Sequence, residues 1–169
     1  MSELMNELSL AEEWREIAPI LFPFFVRCGM AALCGAMIGL ERELKQKPAG
    51  LRTNILICVG AAMYMAIGML IVRIDGVNGV DPTRIAAQVV TGIGFLGAGC
   101  IIQQGAHITG LTSAATIWVV AAIGLIAGAG FPLLALIAAL LVLLTLVVLA
   151  PIEERLFHPS HSDDCHKQP

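Results

Sequence analysis

Asp81, Arg84, Gln88 and Thr91 follow one another at steps of three and four residues, with Phe95 continuing the series. Such spacing puts them on one face of a helix. An Arg and a Gln surrounded by apolar residues cost several kcal/mol unless they find partners. The stripe is therefore read as facing inward, with Arg84 paired to Asp81 or Asp75. A second constellation brackets a polar connection: Glu41 in Gly39-Leu-Glu41-Arg42-Glu43, and Arg52 and Asn54 in Pro48-Ala-Gly50-Leu-Arg52-Thr53-Asn54. If the flanking helices are antiparallel neighbours, the Glu41 carboxylate and the Arg52 guanidinium meet at the mouth of a bundle. That pair is either a clamp that fixes the hairpin or a site for an ion or partner. Thr112 and Trp118 add polar and aromatic candidates on a later helix; Trp118 is read as an interfacial anchor or a packing residue.

Other motifs carry less. Gly92-Ile-Gly94-Phe-Leu-Gly97 fits the dinucleotide fingerprint, but no strand precedes it and no polar group follows to meet a ribose. The glycines Gly92, Gly94, Gly97 and Gly99, like Gly35 and Gly39 with their G-x-x-x-G spacing, are read as surfaces for close helix approach or as points of unwinding. His107 is a solvated loop residue or a pH sensor. The tail His158-Pro-Ser-His161-Ser-Asp-Asp-Cys165-His166 has ligand types for a transition metal without a fold to fix them. No nucleophile–base pair with a supporting third group is present, so no enzyme activity and no cofactor are expected.

The elements that must position these residues are membrane helices. Residues 85–152 contain no Asp, Glu, Lys or Arg, which is room for three crossings at roughly 20 residues each. Composition agrees: 57% hydrophobic, 14% charged and a mean hydropathy of +0.84 stand apart from the roughly 45–50% and 25% of soluble domains. The net charge of -3 comes without a basic patch, which argues against nucleic acid. The five Cys residues show no C-x-x-C spacing and imply no disulfide.

The expected fold is an all-α integral membrane bundle of about five spans. Residues 1–18 form an acidic amphipathic helix ended by Pro19, lying along a membrane face. Residues 19–152 form the transmembrane domain, with spans near 23–41, 54–73, 82–102, 113–128 and 132–150. Asp81-Pro82 starts the third span, Thr112 or Ser113 caps the fourth after a polar loop, and Pro151 closes the fifth, which mostly faces lipid. Residues 153–169 are a short disordered tail. Arg42, Lys45, Lys47 and Arg52 crowd the first connection, which makes it cytoplasmic by the positive-inside rule. An odd number of spans then puts the N-terminus on the periplasmic side and the C-terminus inside.

Taken in order, Gly39-Leu-Glu41-Arg42-Glu43, Ala49-Gly50-Leu-Arg52-Thr53-Asn54, the run from Asp81 to Gly99, and Gly110-Leu-Thr112-Ser113-Ala-Ala-Thr116-Ile-Trp118 resemble the MgtC/SapB family of bacterial inner-membrane proteins. The likeness covers about Arg27 to Gly128, and the matching residues include Glu, Arg, Asp, Gln and Trp. It implies a multi-pass plasma-membrane protein of magnesium homeostasis, described for the family as a transport accessory and, for some members, as a restraint on the proton-driven ATP synthase. Longer members carry a soluble C-terminal domain similar to an ACT fold; the chain is expected to be a short member without it.

Two readings follow from that resemblance. One is a regulator or accessory that binds another membrane protein, such as a membrane ATPase, through its small-residue faces, as a homodimer or higher homo-oligomer. The other is a divalent-cation transporter or channel assembled from several copies. Mg²⁺ prefers carboxylate oxygens and keeps several waters, so Glu41 and Asp81 are the candidate ligands for Mg²⁺ as ligand or substrate. Both lie at span ends, which weighs against a conduit within one chain.

Overall fold

A computed structural model describes residues 2–75, 81–104 and 107–157. Helix α1 runs over Ser2–Leu44, α2 over Leu51–Asp75, α3 over Thr83–Gly99, α4 over Leu111–Gly128 and α5 over Pro132–Phe157. The strands β1 (Ile102–Gln104) and β2 (His107–Thr109) pair antiparallel between α3 and α4, with Gln103 opposite Ile108.

Close contacts fix the directions. Gly35 and Gly39 of α1 lie against the α2 backbone around Asn54 and Leu51, while Gly124 and Gly128 of α4 lie against Cys58 and Ala62 of α2. Gly68 of α2 meets Ile85 of α3, and Gly97 of α3 meets Ala114 of α4. Thus α2 and α4 run parallel, and α1 and α3 run the other way. Lys45 reaches the Leu146 carbonyl, so α5 ends where α1 ends, beside the 45–50 connection.

The core is made of small and medium apolar residues at the contact of α1, α2, α4 and α5: Ala31, Cys34, Ile38, Cys58, Ala62, Val120, Ile123, Ala127, Ala135 and Ala139 are buried. Small side chains are what allow membrane helices to approach, because lipid supplies no hydrophobic drive between them. The outer surface carries Phe22, Phe25, Leu56, Leu133, Leu141 and Leu144, all exposed. Among the described residues, four helices are long and apolar enough to cross a bilayer, and the large apolar residues turned outward on them mark a multi-pass membrane protein. The four helical segments are Ala18–Leu44, Leu51–Arg73, Leu111–Gly128 and Pro132–Leu149.

The structure departs from the sequence reading in several places. α1 continues through Pro19 and Pro23, because in apolar surroundings the neighbouring helical hydrogen bonds are worth keeping even where a proline removes one. α5 likewise runs past Pro151 to Phe157. α3 has 17 residues and rises about 25 Å, short of the roughly 30 Å hydrocarbon core. It ends at Gly99, within a run of glycines that weakens a helix. The polar loop that follows is a hairpin instead of an irregular link. Gly110, at φ +90°, closes it, and a Cβ there would stand 1.9 Å from the Cys100 carbonyl oxygen. Neither Thr112 nor Ser113 caps α4; the helix starts from Gly110 without a side-chain cap.

Candidate functional site

At the end of the bundle bearing the 45–50 connection, Glu41, Arg42, Glu43, Lys45, Lys47 and Arg52 gather within twelve residues of chain. Glu41 and Arg42 are both buried, at 9% and 3% exposure. The Arg42 fork holds the Glu41 carboxylate through Nε and Nη2, the latter 2.7 Å from Oε1. Lys45, one turn on, places Nζ 2.9 Å from Glu41 Oε1 and also approaches the Leu146 carbonyl of α5. Glu41 is thus neutralised by Arg42 of its own helix and by Lys45 just past the helix end. The expected Glu41–Arg52 clamp is not formed: Arg52 is exposed, and sequence neighbours reached the carboxylate first.

Glu43 organises the other side of the connection. Its Oε2 accepts from the Leu51 N–H at 2.9 Å, satisfying one of the free donors at the start of α2 as an N-cap side chain would. The carboxylate lies over Gly50, where a Cβ would be 1.8 Å from Oε2. The glycine leaves the space the cap occupies. Replacing Glu43 by Ala is expected to lower stability by about 1 kcal/mol, read as a reduced midpoint of thermal unfolding in detergent; an unchanged midpoint would show that water caps α2 equally well.

Asn54, wholly buried, donates from Nδ2 to the Ala49 and Gly50 carbonyls at 2.8 Å each. It ties α2 back to the connection, and Gly39 packs beside its Cβ. Its Oδ1 is buried without a hydrogen-bond partner among the described residues. Glu41, Arg42, Glu43, Gly50 and Asn54 therefore form one structural knot, which leaves Arg52, Lys47 and Gln46 around a polar hollow of about 770 Å³.

The third helix reverses an expectation. Arg84, Gln88 and Thr91 are exposed and Phe95 is 82% exposed, so the stripe read as inward is open at the bundle's surface, with Arg84 and Gln88 beside a groove against α2. What selects the buried face is small-residue contact: Gly97 is the one buried residue of α3 and sits on Ala114 of α4. Thr91 satisfies its hydroxyl on the Ala87 carbonyl of its own helix, at 2.9 Å. Asp81 accepts from the Thr83 hydroxyl at 2.7 Å and from its N–H at 2.9 Å. Those two bonds, the hydroxyl first, hold its carboxyl below the usual carboxylate range, with a smaller contribution from Arg84. Asp75, the other partner foreseen for Arg84, has a side chain outside the described residues. A Cβ at Gly92, Gly94 or Gly99 would meet nothing within 4 Å, so these glycines present bare backbone outward, in contrast to Gly35, Gly39 and Gly97.

On α4, Thr112 is exposed and its carbonyl accepts from the buried Thr116 hydroxyl at 2.7 Å. Trp118 is half exposed on the outer surface. The His107 side chain and the metal-ligand types of the tail lie outside the described residues, among which no cluster of three His, Cys, Asp or Glu could hold a metal.

Sequence reasoning missed Arg42 and Arg27. Arg27 of α1 donates to the Gly128 carbonyl at 3.1 Å, a cation placed at the C-terminus of α4 where the helix dipole favours it. Gly130, at φ +100°, keeps the turn clear of that guanidinium. The signal was present as an Arg in an otherwise apolar span, a residue that must find a carbonyl or a carboxylate.

Known proteins are similar to this chain in sequence. The "Putative magnesium transporter YhiD" of Escherichia coli (strain K12) is 43% identical over 142 residues, covering 82% of this chain and 66% of that protein. "Protein MgtC" of Salmonella typhimurium (strain LT2) is 41% identical over 137 residues, 81% of this chain and 57% of that protein. "Uncharacterized protein slr0014" of Synechocystis is 38% identical over 157 residues, 91% and 62% of the respective lengths. The chain spans between 57% and 66% of the length of these relatives. No solved structure matches it. The pattern of the MgtC family extends over residues 28–155, from the half-buried start of the α1 core contact to the last turns of α5, and with it this bundle is placed: the chain belongs to the MgtC family.

Proposed function

We propose that this protein serves magnesium homeostasis in the bacterial inner membrane as an accessory or regulator acting through another membrane protein, a membrane ATPase being the partner class favoured. The single observation that carries this reading is the closed interior of the bundle. The helix contacts are filled by Ala31, Cys34, Ile38, Cys58, Ala62, Val120 and Ile123. Glu41, a buried carboxylate at the mouth, is already engaged by Arg42 and Lys45. Mg²⁺ requires oxygen ligands and gives up its water reluctantly, and an apolar seam supplies neither ligands nor water. The N-terminus on the periplasmic side and the C-terminus in the cytoplasm complete the proposal, on the strength of the basic 45–50 connection.

A second reading, a divalent-cation conduit formed between copies, is favoured by the printed name of the Escherichia coli relative and by the exposed glycine backbone of α3. A homo-oligomer through the small outward residues Ala87, Gly94 and Ala98 is common to both readings. The two separate when purified protein is reconstituted alone in liposomes loaded with a magnesium-sensitive dye. The expected result is Mg²⁺ entry no faster than in protein-free vesicles, with a membrane ATPase co-purifying from native membranes. Entry that Glu41→Gln or Arg84→Ala abolishes would overturn the accessory reading.

A further inference from the structure

Between α2 and α3 the bundle is open to the bilayer. The two helices touch where Ile85 lies against Gly68, and beyond that point nothing stands within 4 Å of a Cβ built at Gly60 or Gly92. The result is a groove of about 650 Å³, with Leu56, Gly60 and Tyr64 on one wall and Arg84, Gln88 and Gly92 on the other. Ile93 and Leu96 extend it away from the Arg84 end. That volume falls within the range of roughly 300–1,000 Å³ typical of small-molecule sites, which are likewise mostly apolar with a few placed polar groups.

The order of side chains along the α3 wall is the informative part. A guanidinium comes first, an amide about one turn deeper, then a bare glycine and aliphatic residues. The Arg84 side chain forms no ion pair or hydrogen bond among the described residues; it acts on the neighbouring Asp81 carboxylate only at longer range, while Asp81 Oδ1 accepts from Thr83. Gln88 likewise has no hydrogen-bond partner among the described residues and cannot stay unpaired in hydrocarbon without cost.

We propose that the α2–α3 groove is a binding site for an anionic glycerophospholipid of the surrounding bilayer, its phosphate on Arg84, an ester carbonyl on the Gln88 amide, and an acyl chain over Gly92 and Ile93. Charge, hydrogen-bond donor and apolar wall then recur in the sequence that such a lipid presents from headgroup to tail. Arg suits phosphate because its fork offers two parallel donors. A second copy of the chain fits less well: a helix with its side chains is about 10–12 Å across, and the contact of Ile85 with Gly68 closes one end of the groove to it. Two-fold pairing along this face would also bring Arg84 toward Arg84.

The full chain in detergent, mixed with phosphatidylglycerol or phosphatidylcholine and read by native mass spectrometry, tests the site. One phosphatidylglycerol should be retained about tenfold more strongly than phosphatidylcholine, because the choline cation of the latter offsets its phosphate charge and competes with Arg84 for it. Arg84→Ala should erase that preference, whereas Arg73→Ala, at the same end of the bundle but outside the groove, should keep it. Gly92→Leu, which fills the groove, should reduce retention of both lipids while the thermal midpoint stays near the parent's. Equal retention of the two lipids by the parent, or a preference that survives Arg84→Ala, would overturn the proposal. So would a dimer crosslinked efficiently through Gln88→Cys, which would give the groove to a second copy.

Discussion

Replacing Arg42 by Met is expected to cost the fold about 3–5 kcal/mol, the penalty for leaving a buried charge without its partner. The Arg42 guanidinium is nearly inaccessible and spends two donors on Glu41, itself only 9% exposed. Lys45 cannot take over the role. It is 38% exposed, and its ammonium is a single point charge where the guanidinium is a fork. The loss should appear as a large fall in the thermal midpoint in detergent, and it should be repaired from the other side. Glu41→Gln removes the stranded charge, so the double variant Arg42→Met, Glu41→Gln is expected within about 1 kcal/mol of the parent, because buried pairs are often replaceable by well-packed neutral groups. A single Arg42→Met variant as stable as the parent would mean that water reaches this end of the bundle and that the knot is solvated. The same pair of measurements bears on function. If the double variant keeps its structure and any partner it purifies with, Glu41 and Arg42 are scaffold, and the exposed Arg52 and Lys47 around the neighbouring hollow become the charged groups to examine.

That pairing also shows where reading from sequence reaches and where it stops. The uncharged run of residues 85–152 and the polar block from Gly39 to Asn54 are enough to place helices and a connection, because hydropathy and end charges are properties of the chain itself. Which arginine meets Glu41 is not such a property. Arg42 and Arg52 are equally charged and equally near the connection, and adjacent residues on a helix do not ordinarily face one another; only the packing of α1 against its neighbours puts Arg42 inside and leaves Arg52 out. The stripe on α3 failed for a related reason. Inward orientation was inferred from the cost of polar groups in lipid, yet helix contact in a membrane is chosen by small residues that let backbones approach, and Gly97 on Ala114 satisfied that demand while turning Arg84 and Gln88 outward. The prolines misled because their cost was weighed as in water, where a broken helix can hydrogen-bond to solvent; in an apolar setting there is no such alternative. Arg27 was legible as an anomaly but not as a cap, since its acceptor lies 101 residues away.

Glycines give the second large effect, and two of them should respond with opposite signs. Gly124→Ala is expected to destabilise the protein by about 1–3 kcal/mol, as overpacking does in a close contact, whereas Gly94→Ala should stabilise it by about 0.5–1 kcal/mol through the helix preference of alanine. At Gly124 a Cβ would lie 2.2 Å from the Cys58 carbonyl oxygen and 2.9 Å from the Ala61 Cβ, atoms of the α2 backbone and its shortest side chain that cannot swing away. α4 would have to lift from α2, and Gly128, whose Cβ would fall 2.3 Å from the Ala62 carbonyl oxygen, lies one turn along the same seam. At Gly94 nothing stands within 4 Å, so the added methyl meets lipid and only the intrinsic helix preference is felt. Thermal midpoints of the two variants, measured side by side in one detergent, decide the matter: equal losses would mean that α3 is packed as tightly as α4, against a partner the single chain does not contain. Opposite shifts would fix the α2–α4 seam as the rigid axis of the bundle and α3 as the helix free to carry an outward-facing polar surface, which is the division of labour that both the accessory reading and the lipid groove require.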